Sequence, residues 1–258
     1  MSRHPALFLS HGAPTLLIQP CPARDFLARY GSELERPEAI VMVSAHWATR
    51  QAEVTAAARP ETIHDFSGFP RALYEYRYPA PGKPDLAHRI GSLLQAAGLG
   101  GALQPTRGLD HGAWVPLGLL YPDASIPVLQ VSIQPHLGPA HHFAIGEVLR
   151  PLRDEGVLVI GSGSLTHNLY EFRGQAVDAP PEPYVVEFAD WTTAAIEAGR
   201  TDDLLSYRER APHAARAHPT DEHFLPLFAA LGAGDGPGQR VHSSHTHGII
   251  AMDVYAFH

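Results

Sequence analysis

The chain has 258 residues, 45% hydrophobic and 18% charged, the balance of an ordinary globular protein with room for one large domain or two small ones. A formal net charge of −8 speaks against a nucleic-acid backbone or an anionic membrane surface as partner, because both call for a basic face. A single cysteine, Cys21, excludes an internal disulfide, and no apolar run nears the ~20 residues of a membrane helix.

Residues 6–10 are almost continuously apolar and predict a first strand buried on both faces. A helix is expected over 23–34, a second buried strand over 40–44 and a weaker third over 52–58. Residues 62–79 are rich in aromatics, Gly and Pro, and predict a loop able to wall a pocket. Pro84 opens a helix to 97, with proline at a tolerated early position, and Gly98–Gly101 ends it. A helix over 113–120, a strand over 127–132, a helix over 138–153 and a strong buried strand over 157–162 follow. Helices over 184–198, 202–207 and 224–231 lead to a glycine-rich loop at 234–238 and a last strand over 249–255. Strands alternating with helices indicate an α/β fold with a central mixed, mainly parallel sheet covered by helices on both faces. No repeat or linker divides the chain, so residues 1–258 are expected to form a single domain. The run before His11 is too short for a signal-peptide core, and the expected address is cytoplasmic.

Four histidines occupy one kind of address. His11 follows the first strand in Ser10-His11-Gly12-Ala13-Pro14, and His46 follows the second in Ser44-Ala45-His46-Trp47. His167 follows Gly161-Ser162-Gly163-Ser164, and His223 precedes a helix in Asp221-Glu222-His223. Ligands of open α/β sheets bind beyond the carboxyl ends of the strands, where imidazoles from several segments can meet around one metal. Each also has a plainer reading, as a turn or capping histidine. The glycine-rich segment has no following lysine and fits neither nucleotide-binding fingerprint; it also lacks the Gly-x-Ser-x-Gly order of a nucleophile elbow. Small residues there could instead let the backbone approach a substrate. Paired cysteines and His-Glu-x-x-His are absent.

His111, after Asp110, reads as a capping residue or as an acid–base histidine held by Asp110. His64 and one of His242, His245 and His247 are candidates for a pocket wall, and Trp47 for an aromatic one. His4, His88, His136, His141, His142, His213, His218 and His258 read as surface or capping residues. Arg71 and Arg107 are candidates for a substrate carboxylate, although solvation suits both.

Five ordered motifs resemble one family. Ser10–Pro14, Val43–Trp47, Gly108–Trp114, Gly161–Leu169 and Glu222–Leu227 are similar to the DOPA-dioxygenase group of the class III extradiol aromatic ring-opening dioxygenases, over residues 6 to about 255. The resemblance implies a non-haem Fe(II) in a crevice, with zinc possible at the same site. It implies His11, His46 and His223 as metal ligands. His167 would be a further ligand or an acid–base residue, and His111 a second acid–base or orienting group. Some relatives use glutamate as third ligand, which keeps Glu222 open as an alternative to His223. His64 stands where a tyrosine is expected.

The chemistry explains these residue types. Three protein ligands on one face of a metal leave room for both oxygens of a catechol and for O2. Iron can pass electrons between them, whereas zinc has no redox chemistry. A base must take a hydroxyl proton and an acid must return one, and a histidine suits both. The expected reaction is opening of an aromatic diol by O2 to a semialdehyde. The competing readings are a zinc hydrolase with the same ligands and a non-enzymatic metal-binding protein. The choice of catechol, the bond cleaved and the oligomeric state stay open at this level.

Overall fold

Alternating burial along the strands shows why this chain forms one sheet between two helical layers. Ala6, Phe8, Val41, Val43 and Val159 point into one core. Leu7, Leu9, Ile40, Met42 and Ile160 point into the other. A strand whose odd and even residues are both apolar needs cover on both faces.

The computed structural model describes residues 3–258. Along the chain run β1 (Ala6–Ser10), α1 (Pro22–Glu33), β2 (Ala39–Ala48), β3 (Ala52–Thr55), α2 (Arg71–Glu75), α3 (Pro84–Ala96), β4 (Gly100–Gln104), α4 (His111–Leu120) and β5 (Val128–Ile133). There follow α5 (Gly138–Leu149), β6 (Val157–Gly163), α6 (Pro183–Glu197), α7 (Thr201–Leu205), α8 (Tyr207–Arg210), α9 (Ala214–Ala217) and α10 (Leu225–Ala233). The chain ends with β7 (Gly238–His242), β8 (His245–Thr246), β9 (Ile250–Ala251) and β10 (Val254–Phe257). Eight strands form one sheet in the order β4-β3-β5-β2-β6-β1-β10-β7, and β8 pairs with β9 in a separate ribbon. The pairs β1–β6, β2–β6, β2–β5 and β3–β4 are parallel, while β10 pairs antiparallel with both β1 and β7, and β3 with β5. This is the expected mixed, mainly parallel α/β sheet. Residues of α3, α5, α6 and α10 fill one core, and residues of α1 and α4 the other. Among the described residues, no helix is long and apolar enough to cross a membrane.

Several details differ from expectation. Strand β2 runs to Ala48, so His46 and Trp47 lie within it rather than beyond it. Its register against β5 breaks between Val43 and Ala48, and this irregularity hides the strand's continuation from an apolar-run reading. Strands β4 and β7 were not expected: both are short edge strands with polar or glycine residues that carry little apolar signal. The anticipated last strand divides at Met252-Asp253 into β9 and β10. A short helix, α2, interrupts the aromatic loop.

Candidate metal centre and active site

β1, β6 and β2 run parallel side by side, so their carboxyl ends share one edge of the sheet. His11 leaves β1 at a turn whose Gly12 has φ +60°, a conformation that favours glycine. His46 sits near the end of β2. The two strands are not neighbours: β6 lies between them and pairs Ser162 with both Leu9 and Ser44. His223 arrives from the opposite layer, just before α10.

Gly161 and Gly163 explain that arrival. A Cβ on Gly161 would stand 2.0 Å from the Pro226 carbonyl oxygen, and one on Gly163 would stand 2.1 Å from that of His223. The Ser164 N–H donates to the His223 carbonyl at 2.8 Å. The glycine-rich segment therefore admits the start of α10 directly onto β6. Its two glycines serve the approach of another backbone, while Ser164 at its end lines the cavity that the histidines wall.

The three rings converge through Nε2. His46 Nε2 lies 2.9 Å from His11 Nε2 and 3.2 Å from His223 Nε2. Two imidazoles at right angles on a metal about 2.0–2.1 Å away would have nitrogens about 3 Å apart. The donor set thus fits a metal bound on one face by three neutral histidines.

The opposite ring nitrogens are occupied by protein groups. Ser162 Oγ donates its only proton to the Gly112 carbonyl at 2.5 Å, so at 3.0 Å it must accept from His11 Nδ1–H. That bond fixes the His11 tautomer with a free Nε2 lone pair. His223 Nδ1 faces Glu222 Oε1 at 3.3 Å, and His46 Nδ1 lies 3.6 Å from Asp65 Oδ2. Glu222 therefore stands behind His223, away from the other two rings.

His167 stacks on His223 with centroids 3.5 Å apart and planes 8° from parallel. It does not join the three-nitrogen group of His11, His46 and His223, but it can group with Glu222 and His223. His111 packs against His46 with centroids 3.8 Å apart. Its partner is Asp65, not Asp110: Asp65 Oδ1 accepts the His111 backbone N–H at 3.0 Å and lies 3.0 Å from ring Nδ1. The ring contact lacks the alignment of a hydrogen bond, so Asp65 holds His111 through its backbone N–H. Asp110 is fully buried elsewhere, taking bonds from Ser44 Oγ and Gln130 Nε2, both at 2.7 Å, and from Arg107 at 3.3 Å.

Burial and mutual repulsion keep the cluster neutral. Burial, then the charges of the other histidines, holds His11 far below its usual range. Burial, then His111 and His223, brings His46 down to about 2 despite Asp65. Burial, then His223 and His218, brings His167 to about 2. The contact with His223 lowers Glu222 to about 2. Burial would raise Asp65, but its contacts with His111 and His46 outweigh it and bring it to about 2. Neutral imidazoles flanked by ionised carboxylates form a site that favours a cation.

These histidines wall a cavity of about 220 Å³ whose other walls include Pro14, Phe66, Phe69, Leu169 and Ile250. Cavities of about 150 Å³ accept benzene, so this one has room for a single aromatic ring. The aromatic loop does reach the cavity, through Phe66 and Phe69. His64 turns instead to the Tyr76 carbonyl at 3.1 Å. Trp47 is buried under Arg107, whose guanidinium lies 4.7 Å from its ring centre. Arg71 is exposed and pairs with Glu75. His242 stacks on Phe26, and His247 bonds the Gln175 carbonyl. None of these, nor His245, lines the cavity. His4, His142 and His218 are buried rather than superficial; backbone groups take both ring nitrogens of His142, and the Leu165 carbonyl accepts from His218 Nε2. Sequence reasoning missed Asp65. Its place in His64-Asp65-Phe66, within the aromatic loop, was the available signal.

The sequence matches, over residues 5–257, the family described as the catalytic LigB subunit of aromatic ring-opening dioxygenase. The chain belongs to this family and is an extradiol aromatic ring-opening dioxygenase. It is 41% identical to the 4,5-DOPA dioxygenase extradiol of Beta vulgaris, covering 97% of this chain and 95% of that one. It is 42% identical to the 4,5-DOPA dioxygenase extradiol of Escherichia coli (strain K12), covering 91% and 87%. The crystal structure of an uncharacterised protein from Escherichia coli K12 superposes with a TM-score of 0.82 at 36% identity, over 99% of this chain and all of that one. A metal, a small-molecule substrate and O2 follow from the family.

Proposed function

We propose that the whole chain is one catalytic domain that opens the ring of a catechol with O2 at an Fe(II) held by His11, His46 and His223. The observation that carries this reading is the convergence of three ring nitrogens, with His46 Nε2 at 2.9 Å from His11 Nε2 and 3.2 Å from His223 Nε2, on the wall of a ring-sized cavity. The relatives named for DOPA support a substituted catechol as substrate and a semialdehyde as product. When bound, iron supplies electron transfer between the diol and O2, which zinc in the same ligands does not. The lone cysteine suits a reducing compartment, and we place the enzyme in the cytoplasm.

The chain's own residues supply the rest. His167 is the acid–base group: it lies on the His223 ring, lines the cavity, and is neutral at physiological pH. It takes a proton from a catechol hydroxyl and returns it as the ring opens. His111, held by Asp65, is the second proton-handling and orienting group. Phe66 and Phe69 exclude water and present their rings to the substrate. Ser162 and Glu222 orient His11 and His223.

The test is anaerobic Fe(II) loading followed by an oxygen-electrode assay with DOPA, protocatechuate and plain catechol, recording the visible spectrum. Oxygen uptake with a new yellow chromophore, absent from the zinc-loaded protein, is the expected result. Metal-loaded protein that consumes no oxygen with any of the three would overturn the reading.

A further inference from the structure

A second hollow of about 320 Å³ lies on the outer side of His167. His167 and Leu169 line both this groove and the ring-sized cavity. Tyr170, Pro219, Thr220 and Glu222 complete it. The two spaces therefore adjoin at His167 and Leu169.

The charges around the groove are unequal. Glu222 is the one acidic residue in this lining, with 30% of its side chain exposed. Its carboxylate takes bonds from Thr220 Oγ1 at 2.9 Å and from His223, and no arginine or lysine pairs with it among the described residues. The nearby cations are committed elsewhere. Arg216 makes two bonds to Glu171, at 2.7 and 2.9 Å. Arg208 is bound to Asp221 and to the His218 carbonyl. Arg173 turns to the carbonyls of Tyr170 and Phe172. The inner cavity has no arginine or lysine in its walls either. Among the described residues, neither lining offers an arginine or lysine to an anionic tail.

We propose that the groove holds the substituent of the catechol and that Glu222 selects tails ending in an ammonium group over tails ending in a carboxylate alone. The proposal rests on the inner cavity being the ring site. It deepens that reading by assigning a specificity residue and a tail class. The chain's negative net charge adds a long-range attraction of the same sign.

Binding of phenols that cannot be ring-opened tests this apart from turnover. Tyramine, p-cresol and 3-(4-hydroxyphenyl)propionate, titrated calorimetrically into the anaerobic metal-loaded protein, carry cationic, neutral and anionic tails. Tyramine should bind best and the propionate worst, with a separation of about tenfold, the size of a partly exposed ion pair. Glu222→Gln should erase most of that separation, the three phenols being compared in protein whose metal loading is verified by elemental analysis, because Glu222 also contacts His223. Tyr170→Arg leaves the Glu222–His223 contact intact and should reverse the preference. Equal binding of tyramine and p-cresol, or an equal loss for all three phenols in Glu222→Gln, would overturn the proposal. So would an unchanged order in Tyr170→Arg. Phenols that discriminate by tail while no catechol consumes oxygen would sink the ring-opening reading and leave the groove standing. Oxygen uptake without tail discrimination would do the reverse.

Discussion

His142 and His11 are both buried histidines beside strands, yet they spend their nitrogens differently. His142 Nε2 accepts the Gln134 N–H at 3.0 Å, and its Nδ1 donates to the Gly138 carbonyl at 2.7 Å. Both nitrogens go to backbone, and the ring pins the start of α5 to the end of β5. His11 gives one nitrogen to Ser162 and turns the other toward two more imidazoles. Residue type and burial therefore do not separate a structural histidine from a ligand. The destination of the second nitrogen does.

The strongest way to break this comparison is to remove a converging nitrogen. His46→Ala should abolish stoichiometric metal binding, measured by elemental analysis, and lower turnover by at least about a thousandfold. Full metal content in this variant would mean that the three-nitrogen group is not the site. His167→Ala should keep its metal and lose roughly 10²- to 10⁴-fold in kcat, the size of a missing acid–base group. Metal loss as severe as in His46→Ala would make His167 a ligand. Ser162→Ala removes the group that fixes the His11 tautomer and should weaken metal affinity about 10- to 100-fold, read by competition with a chelator.

The smallest effect on turnover belongs to His142, and it appears instead in stability. Burial brings its pKa from 6.5 down to about 4, against the pull of its bond to Gly138. The folded state therefore binds fewer protons than the unfolded chain between those values. The neutral ring's contribution is present above pH 6.5 and is lost as pH falls toward 4, up to roughly 3 kcal/mol. Urea denaturation at pH 7 and pH 4.5 should show a smaller acid loss in His142→Gln than in the parent. Identical losses would mean that His142 titrates normally.

Much of this was legible beforehand. The apolar runs at β1, β2, β5 and β6 announce themselves because strands covered on both faces admit few polar residues. His11, His46, His167, His111 and His223 could be singled out because each follows or opens such an element in a recognisable motif. Edge strands β4 and β7 carried no such signal, since one of their sides meets solvent.

What the tertiary structure alone decided is how those motifs meet. It placed β6 between β1 and β2 and so gave Ser162 to His11. It gave Asp65, not Asp110, to His111, across 46 residues of chain. It brought α10 onto β6 where Gly161 and Gly163 leave space, and so delivered His223 to the other two rings. Local sequence sets which residues prefer a strand, a turn or a helix start, because those preferences act over a few neighbours. Pairings between segments far apart in the chain depend on strand order and interlayer packing, which no single segment encodes.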